Sequence, residues 1–182
     1  IVGVEALARW RHPTRGVLTP DVFLPLAERL GVTAEIDRII LREGLAAQAE
    51  WTARGARTPR LSVNVSGRRL FDPALIDQIL DIGVTPGAVS FEVLESVFSD
   101  RVDDAARHTL DRLEDLGVEL EIDDFGTGHA SLLALLALRP KRLKIARELA
   151  APAATSAVHH NVIRAVVEIA QAMRIEVTAE GV

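Results

Sequence analysis

No cysteine occurs among the 182 residues, which excludes disulfides, thiolate metal ligands and thiol nucleophiles. Positive charge is also scarce. The formal net charge is −5, which argues against a broad nucleic-acid-binding surface and leaves room only for a local basic pocket. No DNA partner is expected. Long apolar runs are missing: the longest, LLALLAL at 132–138, is far too short to span a membrane, so no direct membrane insertion is expected. No signal peptide is visible, since Ile1 starts directly in apolar sequence. A cytoplasmic protein, or the cytoplasmic piece of a larger, membrane-anchored one, is expected, and Ile in place of Met at position 1 favours a piece. Internal repeats and low-complexity linkers are absent. So are GxGxxG and P-loop motifs after any strand, which removes the nucleotide-binding open-sheet signatures.

What is present reads as one globular domain, with 48% hydrophobic and 26% charged residues and enough length to bury a sizeable core. Extended apolar segments alternate with helical ones. IVGVEALARW reads as a strand, and DVFLPLAERLG and TAEIDRIILREGLAAQAEWTARG as helices with apolar residues at three- and four-residue steps. RLSVNVS is a strand. DPALIDQILDIGV is a helix with Asp72 as N-cap and Pro73 at its first position. AVSFEVLE is a strand, and DDAARHTLDRLEDLG a helix closed by Gly117. VELEIDDF is a strand, SLLALLAL a short buried helix, PKRLKI a strand, SAVHHNVIRAVVEIAQAM a long helix and RIEVTAEGV the last strand. Six strands alternating with helices predict an α/β fold with a parallel sheet. A βα barrel and an open doubly wound sheet both fit. Six strands are two short of an eight-stranded barrel, so a barrel would be incomplete.

In such folds the active site lies at the carboxyl ends of the strands. There the six strands carry Glu5, Asn64, Glu92 (with Glu95 just beyond), the pair Asp123-Asp124, Lys144 and Glu180. Apart from the lysine, every candidate ligand is an oxygen, which suits Mg²⁺ or Mn²⁺ rather than zinc or copper. Each residue alone also has a plain structural reading. The aspartate pair can serve a turn and a helix cap, Asn64 a local backbone group, Glu92 an arginine pair, Lys144 a snorkelling strand end, and Glu180 an exposed acid. Repetition of the placement at one end of the sheet favours a shared site. Adjacent carboxylates in an apolar setting repel, and a cation is the first candidate to offset that. Among the histidines, His12 sits in a proline-containing loop, His108, His159 and His160 fall on predicted helices, and His129 follows the glycine loop beside the site. None has histidine metal-motif spacing.

EALARWRHP at 5–13, LSVNVS, FEVLES, EIDDFGTG, RLKI and TAEGV, in that order, resemble the motifs of EAL domains, the cyclic di-GMP phosphodiesterases. The ordered set covers essentially the whole chain and is far more specific than any one motif. The resemblance implies a TIM-like (β/α)8 barrel of EAL type, modified by one antiparallel strand, that hydrolyses cyclic di-GMP to linear pGpG with two divalent cations, Mg²⁺ or Mn²⁺. It implies that Glu5, Asn64, Glu92 and Asp123 hold one metal. Asp123 bridges to a second, held also by Asp124 and Glu180. Lys144 matches the lysine beside the attacking water, Glu95 a loop-shaping glutamate in the catalytic set with Glu180, and Arg9 and Leu7 match substrate contacts. Two ions about 3.5–4 Å apart can activate one water and clamp the attacking and leaving oxygens. Phe125 is either a substrate contact or a core anchor for its loop. The resemblance also implies a homodimer, whose contact would fall in the helix-rich segment running from Asp123 to Ala157, and a fused GGDEF or sensory domain outside this chain.

Three departures stand against the family pattern. LKIA replaces the usual LKID, so Ala146 removes a carboxylate near the metals, a loss that can cost about 10–100-fold. His129 and Ala130 replace the usual aromatic and serine after the glycine loop. The opening strand with its Gln-Pro pair, and the last strand and helix with their Gln-Gly pair, fall outside residues 1–182, so the chain is expected to be a partial domain. These departures keep a second reading open: a catalytically degenerate domain acting as a cyclic di-GMP receptor or signalling scaffold.

Overall fold

The computed structural model describes residues 1–56, 59–98, 104–128 and 132–181. Six strands form one parallel sheet in the order β1 (Gly3–Ala6), β4 (Arg60–Asn64), β5 (Val89–Leu94), β6 (Glu119–Phe125), β7 (Arg142–Ile145), β8 (Glu176–Ala179). Two strands outside the sheet, β2 (Trp10–His12) and β3 (Gly16–Leu18), pair as an antiparallel hairpin. The helices are α1 (Pro20–Leu30), α2 (Thr33–Ala53), α3 (Gly67–Leu70), α4 (Ala74–Ile82), α5 (Asp104–Asp115), α6 (Leu132–Leu138), α7 (Arg147–Ala150) and α8 (Ala157–Ala172). All pairings within the six-stranded sheet are parallel; the antiparallel strand implied by the resemblance is not among them.

The strands alternate with period two, and each face has its own chemistry. Leu61 and Val63, Val89, Phe91 and Val93, Leu120 and Ile122, and Leu143 and Ile145 are all buried. Most of them join one core with Leu41, Leu75, Ile79, Leu110, Leu113, Leu135 and Leu138 from the helices. Each such side chain contributes about 1.5–3 kcal/mol through burial. The opposite face is polar. Ser62 and Ser90 share a hydrogen bond of 2.9 Å. Arg60 reaches Glu119 at 3.1 Å and Glu121 at 3.4 Å, and Arg142 pairs with both Glu121 and Glu176. This charged strap ties β4, β6, β7 and β8 together where an ordinary barrel interior is packed with branched apolar residues. A sheet with helices on its apolar face and ion pairs on the other is half of a barrel; an open doubly wound sheet would need apolar residues on both faces.

Several boundaries differ from the sequence reading. The strand expected through Trp10 ends at Ala6, because Trp10–His12 turns back on Gly16–Leu18. His12 Nδ1 accepts hydrogen bonds from the N–H groups of Thr14 and Arg15, both at 3.2 Å, and fixes that turn. Three-residue strands carry too little periodicity to be read in advance. The α4 helix starts at Ala74, one residue later than expected, yet Asp72 still caps it by accepting the Ala74 N–H at 3.0 Å. The α6 helix is half-buried rather than buried: Leu135 and Leu138 enter the core while Leu133 is 75% exposed. Among the described residues no helix is long and apolar enough to cross a membrane.

Candidate functional site

The carboxyl ends of the strands bring the acidic residues together. In β1, Glu5 lies opposite Ser62; one step further along β4, Asn64 lies opposite Glu92, and Leu94 lies opposite Asp123. The Asn64 side-chain amide donates to Glu5 Oε1 at 2.6 Å. Lys144, on the same face of β7 as Arg142, sends its ammonium into the cluster. Its Nζ lies 2.8 Å from Glu180 Oε1, 3.0 Å from Asp123 Oδ1 and 3.1 Å from Glu92 Oε2. Glu180 is held there because its N–H donates to the Ile145 carbonyl, extending the β7–β8 ladder.

Asp123 and Asp124 occupy an irregularity. Ile122 pairs with Leu143 and Phe125 with Ile145, so three steps on β6 match two on β7. Asp124 has φ +52°. A regular strand would point neighbouring side chains to opposite faces; the bulge turns both toward one. Carboxylate oxygens of Asp123, Asp124 and Glu180 consequently lie within 4.8 Å of one another. This is a donor set of hard oxygens, half-buried, and its chemistry fits divalent cations such as Mg²⁺ or Mn²⁺.

The electrostatics follow the crowding. Burial pushes the Glu92 carboxyl up to about 7; Lys144 works against that, and the charges of Glu5 and Asp123 add to it. Asp124 is also raised, by burial first and then by Asp123, Glu180 and Glu148. Burial would lower Lys144, but its hydrogen bond to Glu180 and the charges of Glu92 and Asp123 outweigh it and hold the ammonium above the usual lysine range.

Glu95 plays a different part. It is buried, and its Oε2 accepts the N–H groups of Gly126 at 2.7 Å and Gly128 at 3.1 Å. It pins the glycine loop after β6 to the 3₁₀ turn after β5. Gly126 has φ +102°, a conformation that favours glycine; a Cβ there would lie 2.8 Å from Leu149 Cδ2, which the leucine tip can relieve by moving. Phe125 packs against the core. Arg9 is exposed, donates to the Ala8 carbonyl at 2.7 Å and lines a cavity with Trp10 and Phe23. Leu7 is 54% exposed and lines a cavity of about 480 Å³ together with Asn64 and Glu92. Ala146 is fully buried at the end of β7, its N–H donating to the Phe125 carbonyl at 3.1 Å. His129 and Ala130 lie outside the described residues.

Sequence reasoning missed Asp37. It lines the same cavity as Leu7, Asn64 and Glu92, its Oδ2 is buried without a hydrogen-bond partner, and burial pushes it up to about 6 against the opposing charge of Arg69. The available signal was an acid between Ile36 and Ile39-Ile40 on an otherwise apolar stripe of α2. The charged strap of Arg60, Glu121 and Arg142 was missed as well, because its partners lie on different strands.

Comparison with known proteins places this geometry in context. The sequence profile of the EAL domain matches residues 1–182. The bifunctional diguanylate cyclase/cyclic di-GMP phosphodiesterase MucR of Pseudomonas aeruginosa is 35% identical over 186 residues, covering 100% of this chain and 27% of MucR. An uncharacterised protein of Mycobacterium tuberculosis is 36% identical over 187 residues, covering 100% of this chain and 30% of that protein. The chain therefore spans less than a third of the length of these curated relatives. The solved structure of the PaMucR phosphodiesterase in complex with c-di-GMP matches with a TM-score of 0.88 at 34% identity, over 100% of this chain and 75% of that one.

Proposed function

The chain belongs to the EAL domain family, and from that premise we propose that it hydrolyses cyclic di-GMP to linear pGpG with the help of two divalent cations, Mg²⁺ or Mn²⁺. The observation that carries the reading is the convergence of Asp123, Asp124 and Glu180 within ligand range of one another, with Glu92 tied to the same cluster through Lys144. Glu5, Asn64, Glu92 and Asp123 would hold one cation, and Asp123, Asp124 and Glu180 the other. Such cations, when bound, acidify a water and neutralise charge building on the phosphodiester oxygens.

The chain's own residues supply the rest. Lys144 provides a fixed positive charge beside the reacting phosphate. Arg9 offers a planar pair of donors for the phosphodiester anion. Leu7 and Asp37 line the cavity next to Asn64 and Glu92, an apolar wall and a buried acceptor suited to a guanine base. Glu95 holds the glycine loop that follows Asp124 and Phe125. The exposed Leu132, Leu133 and Leu136 on α6 offer the apolar contact for a homodimer. A fused GGDEF or sensory domain, and action in the cytoplasm, complete the proposal.

A second reading rests on one observation: Ala146, fully buried at the end of β7, brings no carboxylate to the site. On that reading the domain binds cyclic di-GMP as a receptor without turnover. Incubation with cyclic di-GMP and Mn²⁺ separates the two. Formation of pGpG that EDTA and Glu5→Ala both abolish supports hydrolysis. Binding without product supports the receptor. Neither binding nor product would overturn both.

A further inference from the structure

The ammonium of Lys144 touches three carboxylates on three different strands or strand ends: Glu92 from β5, Asp123 from β6 and Glu180 after β8. These are the oxygens on which the proposed cation sites depend. They also belong to both sites, since Glu92 would serve one ion, Glu180 the other, and Asp123 the two together. Lys144 is itself mostly buried, with its side chain 12% exposed, so water screens its charge poorly. Among the described residues no other lysine or arginine forms an ion pair with these three acids. A cation that takes Asp123 Oδ1, Glu92 Oε2 or Glu180 Oε1 must either displace the ammonium or bind against its charge.

We infer that Lys144 is a built-in counter-ion that competes with divalent cations for Glu92, Asp123 and Glu180 and so sets how tightly the domain holds metal. The inference rests on the proposed metal dependence and adds a role for this lysine in metal affinity, separate from any role in the chemical step. Three carboxylates, those of Glu92, Asp123 and Glu180, touch the one ammonium, and those of Asp124 and Glu5 complete the five carboxylates of the proposed ligand set. Two divalent ions neutralise what the ammonium leaves, so the lysine's single charge leaves room for both ions and lowers the affinity for each. Removing it makes the cluster a stronger chelator and a less stable one when no metal is supplied. Close like-charge repulsion in a half-buried site is large enough to shift cation affinity by at least about tenfold.

The test is Mn²⁺ affinity, measured by titration calorimetry and by the electron-spin signal of free Mn²⁺, for the unsubstituted chain, Lys144→Met and Lys144→Gln at one ionic strength. At least tenfold tighter Mn²⁺ binding in both variants is expected. Equal or weaker binding in the variants, with Mn²⁺ still bound by the unsubstituted chain, overturns the counter-ion role and leaves the metal reading intact. No Mn²⁺ binding by any of the three overturns both. A second measurement stands even where a variant fails to fold. The chain has two lysines, Lys141 and Lys144, so lysine-selective ¹⁵N labelling gives two side-chain signals. Saturating Mg²⁺ is expected to move the Nζ signal of Lys144 and not that of the exposed Lys141. A Lys144 signal unmoved by saturating Mg²⁺ overturns the inference.

Discussion

Asp123 and Asp124 are neighbours in sequence, yet their carboxylates converge on one side of the sheet, because a bulge in the β6–β7 pairing and a left-handed backbone at Asp124 turn the second side chain back toward the first. That arrangement costs stability when both are charged, since Asp123, Glu180 and Glu148 all raise the Asp124 carboxyl. Asparagine tolerates the left-handed conformation at least as well as aspartate. Asp124→Asn is therefore expected to fold normally and to melt slightly higher than the parent in EDTA. The same variant should bind Mn²⁺ at least about tenfold more weakly. A thermal melt and a metal titration on the same sample check both; a variant that melts lower in EDTA would mean that the carboxylate pair is not repulsive.

The pH dependence follows from Glu92. Its carboxyl is raised to about 7 in the folded chain from an ordinary value of 4.5, so between those values the folded state binds more protons than the unfolded one. Stability then falls as pH rises through that window. Asp37, raised to about 6, acts in the same direction. Without added metal, the melting temperature is expected to drop between pH 5 and pH 8, and Glu92→Gln is expected to reduce the drop. If the difference between variant and parent does not grow from pH 5 to pH 8, burial of Glu92 is not the cause.

The strand ends were readable before the fold was seen, because six acids, amides or a lysine each followed an apolar run, and in a parallel βα sheet those positions share one edge. Glu5, Asn64, Glu92, Asp123 and Lys144 are legible in that way. The apolar sides of the strands were equally legible, since Leu61, Val63, Phe91, Ile122 and Leu143 sit at alternate positions. What could not be read depends on relations between strands. The bulge that reorients Asp124 is a mismatch between two strands, and neither shows it alone. The hairpin around His12 is too short to have a period. Asp37 reaches its cavity only through the packing of α2 against β1 and β4. The exposure of Leu133 and Leu136 was hidden because a run of leucines looks the same whether one side or all sides are covered.

Glu95 is expected to act through the loop. It accepts two backbone N–H groups, those of Gly126 and Gly128. Glu95→Ala leaves both part-buried N–H groups without their carboxylate acceptor and free to turn to water, so the loss is that of ordinary hydrogen bonds, about 0.5–1.5 kcal/mol each. Hydrogen exchange at Gly126 and Gly128 should speed up, and Mn²⁺ affinity should fall because Asp124, at the end of β6, directly precedes the loosened segment. Glu95→Gln keeps one acceptor and should fall between. Unchanged exchange at both glycines in Glu95→Ala would rule out the loop-holding role.

Asp37 gives a prediction about substrate. Its buried Oδ2 has no hydrogen-bond partner and lines the cavity shared with Leu7, Asn64 and Glu92. A guanine edge entering that cavity would supply the missing donors. Asp37→Ala should weaken cyclic di-GMP binding about tenfold or more, with a larger effect on KM than on kcat, since a lost hydrogen bond to a charged group is worth about 1.5–3 kcal/mol. The same change should stabilise the ligand-free chain at neutral pH by removing a buried charge. An unchanged KM would show that the cavity does not receive the base.

The last test concerns Ala146. Ile145 faces the core, so by alternation Ala146 faces the side of Lys144, and its backbone is extended at φ −55°, ψ 145°. A carboxylate grown there enters a fully buried position beside the glycine loop. Without metal it has no cation of its own, so Ala146→Asp should lower the melting temperature in EDTA. With Mn²⁺ or Mg²⁺ the added acid should raise phosphodiesterase turnover by about 10–100-fold, the usual scale for a carboxylate that supports metal ligands. The two signs must appear together. A variant destabilised in EDTA but no faster with metal would mean that Ala146 is tolerated because the remaining acids already satisfy the site, and the missing carboxylate would no longer be an argument for a receptor.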